Sequence, residues 1–568
     1  MKSSEKAVLK TPYEERMSRE CPLPEYPRPQ MVRESYISLN GEWDFCVCDA
    51  TDTPEYKDKI LVPYPPESRL SGYERTIPKG SVMHYKRTVT LPQGFNIGRV
   101  ILHIGASDCI TDAFVNGRQV LHNEGGYLPF SADITDALSD GENELSIDVR
   151  DDLSLDFPYG KQKNKRGGMW YTPTSGIWQT VWLESVPEEY ISALKIKQTM
   201  EYAEIEIKGI SGLKTLTLSD GTEYKFHDDK IRIVPKEKKL WSPESPYIYT
   251  FTLKCGEDEV KSYFALREIG TRLIDGKKRL TLNGKPYIFN ALLDQGYFPD
   301  GIFTPASYDA FRDDILYSKA LGFNTLRKHI KVEPEIFYYL CDTLGMIVFQ
   351  DMVNNSDYSF IRDTALPTVG MKRFPDFLLH RSKRSRKIFK EHMLATIDRL
   401  YNFPSVLYYT IFNEGWGQFT ADDMYDLAKD FDPTRIYDAT SGWFWQKRSD
   451  VDSHHVYFKP VKIKRQKDKP IVISEFGGYS LRIDGHLFGE DNYGYKLFDS
   501  IEKFEDAFVK LYDTEVREAI LKGASAFVYT QLSDIEDETN GVLTYDRQVK
   551  KLNPERILPL MRELLDLV

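Results

Sequence analysis

The sequence predicts two β-sandwiches followed by a parallel (β/α)8 barrel. Three observations carry the prediction. Residues 30–185 hold many short alternating runs with turn signals between them, the pattern of a sandwich. Residues 188–270 repeat it at smaller scale, as an immunoglobulin-like sandwich does. Beyond about residue 275 strands alternate with helices, and eight strand candidates fit the count of a closed α/β barrel. The 568 residues suit three or four domains at a prior of about 150 residues each. Pro187 and the polar Gly270-Thr271-Arg272 set the expected boundaries, giving domains at 1–187, 188–272 and 273–568.

In the first domain, Asn40-Gly41 turns the chain into a strand through Phe45, and His84–Leu91 alternates with period two. Arg99–Ile104 and Ala113–Val115 follow, and Asn116-Gly117 is a hairpin signal. Asn143–Val149 and Gln179–Leu183 complete the set. The second domain is built from Glu204–Ile207, Thr215–Leu218, Lys230–Ile233, Ile248–Leu253 and Ser262–Leu266. In the third, strands are expected at Tyr287–Leu293, Thr325–Arg327, Ile347–Gln350, Val406–Phe412, Ile436–Ala439, Asp452–Tyr457, Ile471–Glu475 and Ala526–Gln531. Helices are expected between most of them, among them Ser307–Ala320 and Arg386–Leu400, the latter with apolar residues at helical spacing.

Composition narrows the class. A net charge of −11 disfavours a nucleic-acid binder, which needs a basic footprint. The basic runs Arg381–Lys387 and Lys462–Lys469 are read as solvated faces. The polar Met1–Lys6 is followed by no apolar stretch, so a soluble, non-secreted, cytoplasmic chain with no membrane partner is expected. Six scattered cysteines lack the paired spacing of a metal site and are expected to be free thiols. No nucleotide fingerprint or zinc-spaced set appears, so no cofactor and no metal are assigned.

Two strings carry the chemistry. Tyr409–Asn413 runs into Glu414-Gly415-Trp416, and Ile471–Ser474 runs into Glu475-Phe476-Gly477. Each is an apolar, β-rich run ending in a glutamate. A barrel enzyme places its reacting groups at the C-terminal lip of such strands, and glycoside hydrolysis needs two carboxyls. Either glutamate alone would pass as a strand-end charge; the pair points to catalysis.

The chain resembles glycoside hydrolase family 2 over nearly its whole length. Leu39-Asn-Gly-Glu-Trp-Asp-Phe45 resembles the opening of the family's jelly-roll-like sugar-binding domain, and Ser175–Leu183 its closing strand. Leu240–Tyr247 and Phe264–Ile269 resemble the end of the immunoglobulin-like domain; Gly322–Arg327 and Leu340–Gly345 resemble barrel segments. The resemblance implies Glu414 as acid/base and Glu475 as nucleophile of a retaining exo-β-glycosidase acting through a covalent glycosyl-enzyme. The negative nucleophile keeps the acid's proton on, and loss of that charge in the ester turns the acid into a base. It further implies Asn413 on the sugar 2-hydroxyl and Arg327 steadying the nucleophile.

Other candidates are read with their alternatives open. His329 is a substrate contact or a satisfied core histidine. His455 and Tyr457 end strand six, where a tyrosine hydroxyl can orient the nucleophile. Trp416 and Trp443 stack on sugars or pack their loops. Asp294 takes a hydroxyl contact after strand one, and Tyr529 replaces the family's usual tryptophan on strand eight. Val542 stands where β-glucuronidases carry a lysine two residues after the asparagine, here Asn540. That argues against a glucuronide unless Lys328 or Lys331 supplies the cation. The first expectation is therefore a neutral β-galactoside; a β-glucuronide, β-mannoside or other pyranoside is the alternative. A catalytically inactive carbohydrate-binding protein is the reading from another class. A homo-oligomer is expected only by analogy.

Overall fold

The computed structural model describes residues 8–371, 374–380, 382–463 and 468–568. The polar Met1–Lys6 stretch, Arg381 and the centre of the second basic run, 464–467, lie outside the described residues.

The first region packs a six-stranded antiparallel sheet, centred on Gly41–Asp49, Ser81–Thr90 and Glu142–Arg150, against a four-stranded one built on Arg99–Ile104 and Val181–Val186. Alternate residues enter one core: Trp43, Phe45, Met83, Tyr85, Leu102 and Ile147 are all buried. The Trp43 indole is satisfied by donating to the Leu39 carbonyl at 2.8 Å. The second region pairs a three-stranded with a four-stranded sheet around Ile196, Ile205, Leu216 and Leu253. A buried arginine ties the two regions. Arg33 donates to both oxygens of Asp258 at 2.9 and 2.7 Å and to Glu184 at 3.1 Å. All six cysteines are free thiols.

Ile269–Ile274 pairs antiparallel with Lys277–Leu282, so the boundary expected at 272 falls inside a strand. That hairpin closes the bottom of the barrel. Leu280 and Leu282 pack with Phe289, Ile347, Leu407 and Val472, and Arg279 donates to the carbonyls of Ile520 and Ala524 at 2.8 and 3.1 Å.

The barrel strands are β1 (Phe289–Asp294), β2 (Thr325–Lys328), β3 (Ile347–Asp351), β4 (Val406–Asn413), β5 (Ile436–Ser441), β6 (Asp452–Val456), β7 (Ile471–Gly477) and β8 (Ala524–Thr530). They form one parallel sheet in the order β5-β4-β3-β2-β1-β8-β7-β6. The two ends meet through a side chain: Ser453 on β6 donates to Asp438 Oδ1 and the Thr440 carbonyl of β5, at 2.9 and 3.3 Å. Helices α1 (Asp309–Ala320), α2 (Glu335–Leu344) and α3 (Lys383–Leu400) cover the outside. Helix α3 begins where Ser382 caps the Ser385 N–H, and it buries Phe389, Met393, Ile397 and Leu400 at 3–4 residue spacing.

An aromatic seam joins the first sandwich to the mouth of the barrel. Trp178 stands edge-on to Phe303 with centroids 5.1 Å apart, Trp170 to Trp416 at 5.1 Å, and Tyr171 to Tyr297 at 4.8 Å. Such pairs contribute about 0.5–1.5 kcal/mol each beyond their buried area. No described helix is long and apolar enough to cross a membrane.

Candidate active site

The C-terminal ends of β2, β3, β4, β5 and β7 converge on one cluster. Arg327, at the end of β2, is its hub and is 1% exposed. Its Nε donates to Asp351 Oδ1 at 3.0 Å and its Nη2 to Asn413 Oδ1 at 2.9 Å. Nη1 serves Glu475 Oε1 at 3.1 Å and the Ser474 carbonyl at 2.8 Å. Burial works against its charge, but Asp351 and Glu475 more than offset that and raise its pKa. A buried cation with every nitrogen engaged and two carboxylates in reach is held in place as well as charged.

Glu475 sits in β7 and is buried. Tyr457 donates to its Oε2 at 2.5 Å, and His455 Nδ1 lies 3.4 Å from the same oxygen. Burial alone would raise its pKa; His455, Arg327, His329 and the Tyr457 hydroxyl outweigh burial and hold it below the usual glutamate value. Tyr457 lies one residue past β6. Its ring is stacked on Tyr495 at 3.9 Å and 9°, which fixes the hydroxyl.

Glu414 follows β4 directly. Its φ is +54°, so the strand ends in a left-handed residue that turns the side chain across the mouth. The turn is pinned on both sides: Glu414 N–H donates to the Ser441 carbonyl at 2.9 Å, and Trp443 Nε1 donates to the Glu414 carbonyl at 2.8 Å. Gly415 continues it at φ +72°, with Phe444 pressed where a Cβ would stand. One oxygen of Glu414, one oxygen of Glu475 and a ring nitrogen of His455 all lie within 4.8 Å of one another. The two carboxylates therefore face each other across a common cleft. His455 Nδ1 is 2.7 Å from Glu414 Oε1, and its Nε2 is 3.0 Å from Ser441 Oγ.

The remaining expected residues divide. His329 is buried with Nδ1 2.6 Å from Asp351 Oδ2, and burial lowers its pKa despite that partner. Asp294 is at the lip of β1, but Oδ2 accepts from Lys328 at 2.6 Å and Oδ1 from the Gly296 N–H at 2.9 Å, so its oxygens are engaged. Trp443 stands edge-on to His455 rather than presenting its face, and Trp416 belongs to the seam. Tyr529 is corrected: it is fully buried and packs on Phe508 and Phe476, outside the barrel wall, so it lies under no sugar. Lys328 and Lys331 do not offer a free cation, because both bind Glu333, at 2.8 and 3.0 Å.

Sequence reasoning missed Asp351 as a site residue, though it ends an apolar strand run as Glu414 and Glu475 do. Ser441 and Tyr495 gave no sequence signal.

Comparison with known proteins agrees with this architecture. Residues 73–187 match the model for the sugar binding domain of glycosyl hydrolases family 2, and residues 275–555 match its TIM barrel domain. The chain belongs to glycosyl hydrolases family 2. Among curated relatives, a β-galactosidase of Priestia megaterium is 21% identical over 87% of this chain and 52% of its own length. A putative β-glucuronidase of Formosa agariphila is 22% identical over 72% of this chain and 51% of its own. The chain thus spans about half the length of these relatives. Among solved structures, the β-D-glucuronidase of Dictyoglomus thermophilum superposes with a TM-score of 0.75 at 18% identity, covering 96% of this chain and 99% of that one. A β-galacturonidase of Eisenbergiella tayi gives 0.68 at 18%, over 94% and 98%. At these identities the superpositions speak to fold.

Proposed function

We propose that this chain is a retaining exo-β-glycosidase. One observation carries the reading: carboxylates on two different barrel strands approach within 4.8 Å across one cleft, with one of them held ionised by Arg327. Retaining glycosidases keep their carboxyls about 5–5.5 Å apart, whereas inverting ones leave about 6.5–9.5 Å for a water. Glu475 attacks the anomeric carbon as Glu414 gives its proton to the departing glycosidic oxygen. The product is a glycosyl ester on Glu475 and a free alcohol. Glu414, now a carboxylate, takes a proton from water, whose oxygen displaces Glu475 and restores both groups. Asn413 is oriented by Arg327 with its amide NH2 free for the sugar 2-hydroxyl.

The names of the family relatives divide between galactosides and uronides. Those names leave both the neutral β-galactoside expected from Val542 and a β-uronide open as the substrate. The test is hydrolysis of a panel of aryl β-glycosides by the wild type, Glu475→Gln and Glu414→Gln. Activity on at least one glycoside, lost by at least 10³-fold in Glu475→Gln, supports the reading; undiminished activity in that variant removes it, and no activity on any glycoside favours a binding protein.

A further inference from the structure

The mouth of the barrel is not lined by the barrel alone. Residues 159–162 of the first sandwich are clamped over the ends of β2 and β3. Tyr159 N–H donates to the Asn354 carbonyl at 3.1 Å, and its hydroxyl donates to the Ser356 carbonyl at 2.6 Å. Gly160 is pressed against Tyr127 and the Ile330 carbonyl, with φ +63° and room for no side chain. Gln162 is fully buried and holds Asp108, Tyr127 and Thr174. Between these anchors Lys161 is only 8% exposed.

Each of the other cations named at this mouth is spent. Arg327 is held by Asp351, Glu475 and Asn413; Lys328 by Asp294 and Glu333; Lys331 by Glu333 and two carbonyls. Lys161 differs. Among the described residues no carboxylate oxygen comes within 4.0 Å of its Nζ, and no hydrogen bond engages it. Its charge nevertheless acts on Glu538 and on His329, beside the two catalytic candidates. Glu538 is itself buried, and Gln531 Nε2 donates to its Oε2 at 2.6 Å. Burial raises Glu538 to about 7, with Lys161 and Gln531 opposing.

An ammonium fixed in place by its backbone, with no direct ion-pair partner, is preorganised to receive a carboxylate. The clamp of residues 159–162 and the reach of its charge to Glu538 and His329 put Lys161 on the side of the barrel mouth that holds Arg327 and Glu475. We propose that Lys161 is the specificity-determining cation of this site, and that its partner is the carboxylate of a terminal hexuronic acid. The inference rests on the glycosidase reading above and deepens it. The sandwich, rather than the barrel loop around Val542, reads the acid group. This explains how a chain without the lysine after Asn540 still meets an anionic sugar.

The test compares wild type with Lys161→Met, which keeps the apolar stem and removes the charge. Substrates are matched aryl pairs: β-D-glucuronide against β-D-glucoside, and β-D-galacturonide against β-D-galactoside. Wild type is expected to prefer one uronide over its neutral partner by about 10²-fold or more in kcat/KM. Lys161→Met is expected to lose that preference by slowing the uronide alone, with the neutral glycoside changed by less than about 3-fold, and Lys161→Arg to recover part of it. Wild type preferring the neutral sugar, or equal loss on both substrates in Lys161→Met, overturns the inference. Binding of free glucuronate and galacturonate, against glucose and galactose, to Glu475→Gln with and without Lys161→Met gives a readout independent of hydrolysis. Uronate binding that depends on Lys161 without hydrolysis by the wild type would remove the glycosidase reading and keep this one. Glycoside hydrolysis with no uronate binding would do the reverse.

Discussion

His455 Nδ1 stands 2.7 Å from Glu414 Oε1. The same nitrogen is 3.4 Å from Glu475 Oε2, so one imidazole bridges the proposed acid and the proposed nucleophile. Gly442, at φ +94°, makes room for it, since a Cβ there would be 2.8 Å from Nδ1. His455 is the first of the groups that oppose the effect of burial on Glu475 and favour its ionised form.

A pH dependence follows. Glu475 lies below the usual 4.5 because His455 and Arg327 outweigh its burial. A nucleophile must be ionised, so the acid limb of wild-type kcat/KM is expected below pH 4.5. Removing either positive partner leaves burial less opposed, so His455→Asn should move that limb upward. An unmoved limb in a folded variant would contradict this assignment of the shift.

Tyr457→Phe removes the hydroxyl that donates to Glu475 Oε2 and leaves the stacked ring. A hydrogen bond to a charged group contributes about 1.5–3 kcal/mol, so kcat is expected to fall about 10- to 100-fold with little change in melting temperature. A fall in stability with kcat preserved would make Tyr457 a packing residue.

Gly415→Ala tests the turn that aims Glu414. The new methyl would meet Phe444, and φ +72° strains any L-residue. Together these cost about 1–3 kcal/mol. Activity is expected to fall more than stability, because the next residue back is the proposed acid. Phe444→Ala in the same chain should return part of the stability. A fully active Gly415→Ala would show that the turn does not govern the site.

Asp342 links the second sandwich to the barrel. It accepts from Tyr263 at 2.7 Å and from the Ser405 N–H at 2.7 Å. Burial pushes it up to about 7, with those hydrogen bonds opposing. In this direction the folded chain holds a proton that the unfolded chain has released. Its contribution to stability is complete below the unfolded value near 3.8 and is lost as pH rises to about 7. The melting-temperature difference between wild type and Asp342→Asn should therefore shift in favour of the variant between pH 4 and pH 7.5. A difference independent of pH would contradict the shift.

What was legible in the sequence was what has a period or a local signature. All eight barrel strands were expected within about two residues, because buried parallel strands read as apolar runs. Glu414 and Glu475 stood out because a carboxylate ending such a run is conspicuous. What was illegible depends on contacts between distant segments. Tyr529 looked like a substrate platform until its side of β8 was known, and one residue of register separates the cleft from the helix layer. Lys161 carries no sequence mark at all; only the clamp of residues 159–162 onto the barrel brings it to the cleft. A hairpin that plugs the barrel begins in what sequence reads as the end of the sandwich, because antiparallel pairing of 269–274 with 277–282 has no local mark.

The central claim is that Glu475 bonds to the sugar while Glu414 handles the proton. The most direct measurement is mass spectrometry of the protein after incubation with the 2-deoxy-2-fluoro glycosyl fluoride of the sugar it cleaves. The 2-fluorine slows both formation and release of the ester, and the fluoride leaving group restores the rate of formation alone, so the ester accumulates. One fluorosugar per chain, on the peptide that contains Glu475 and absent from Glu475→Gln, is the predicted result. A label on another residue, or no adduct together with an inverted anomeric product, would contradict it.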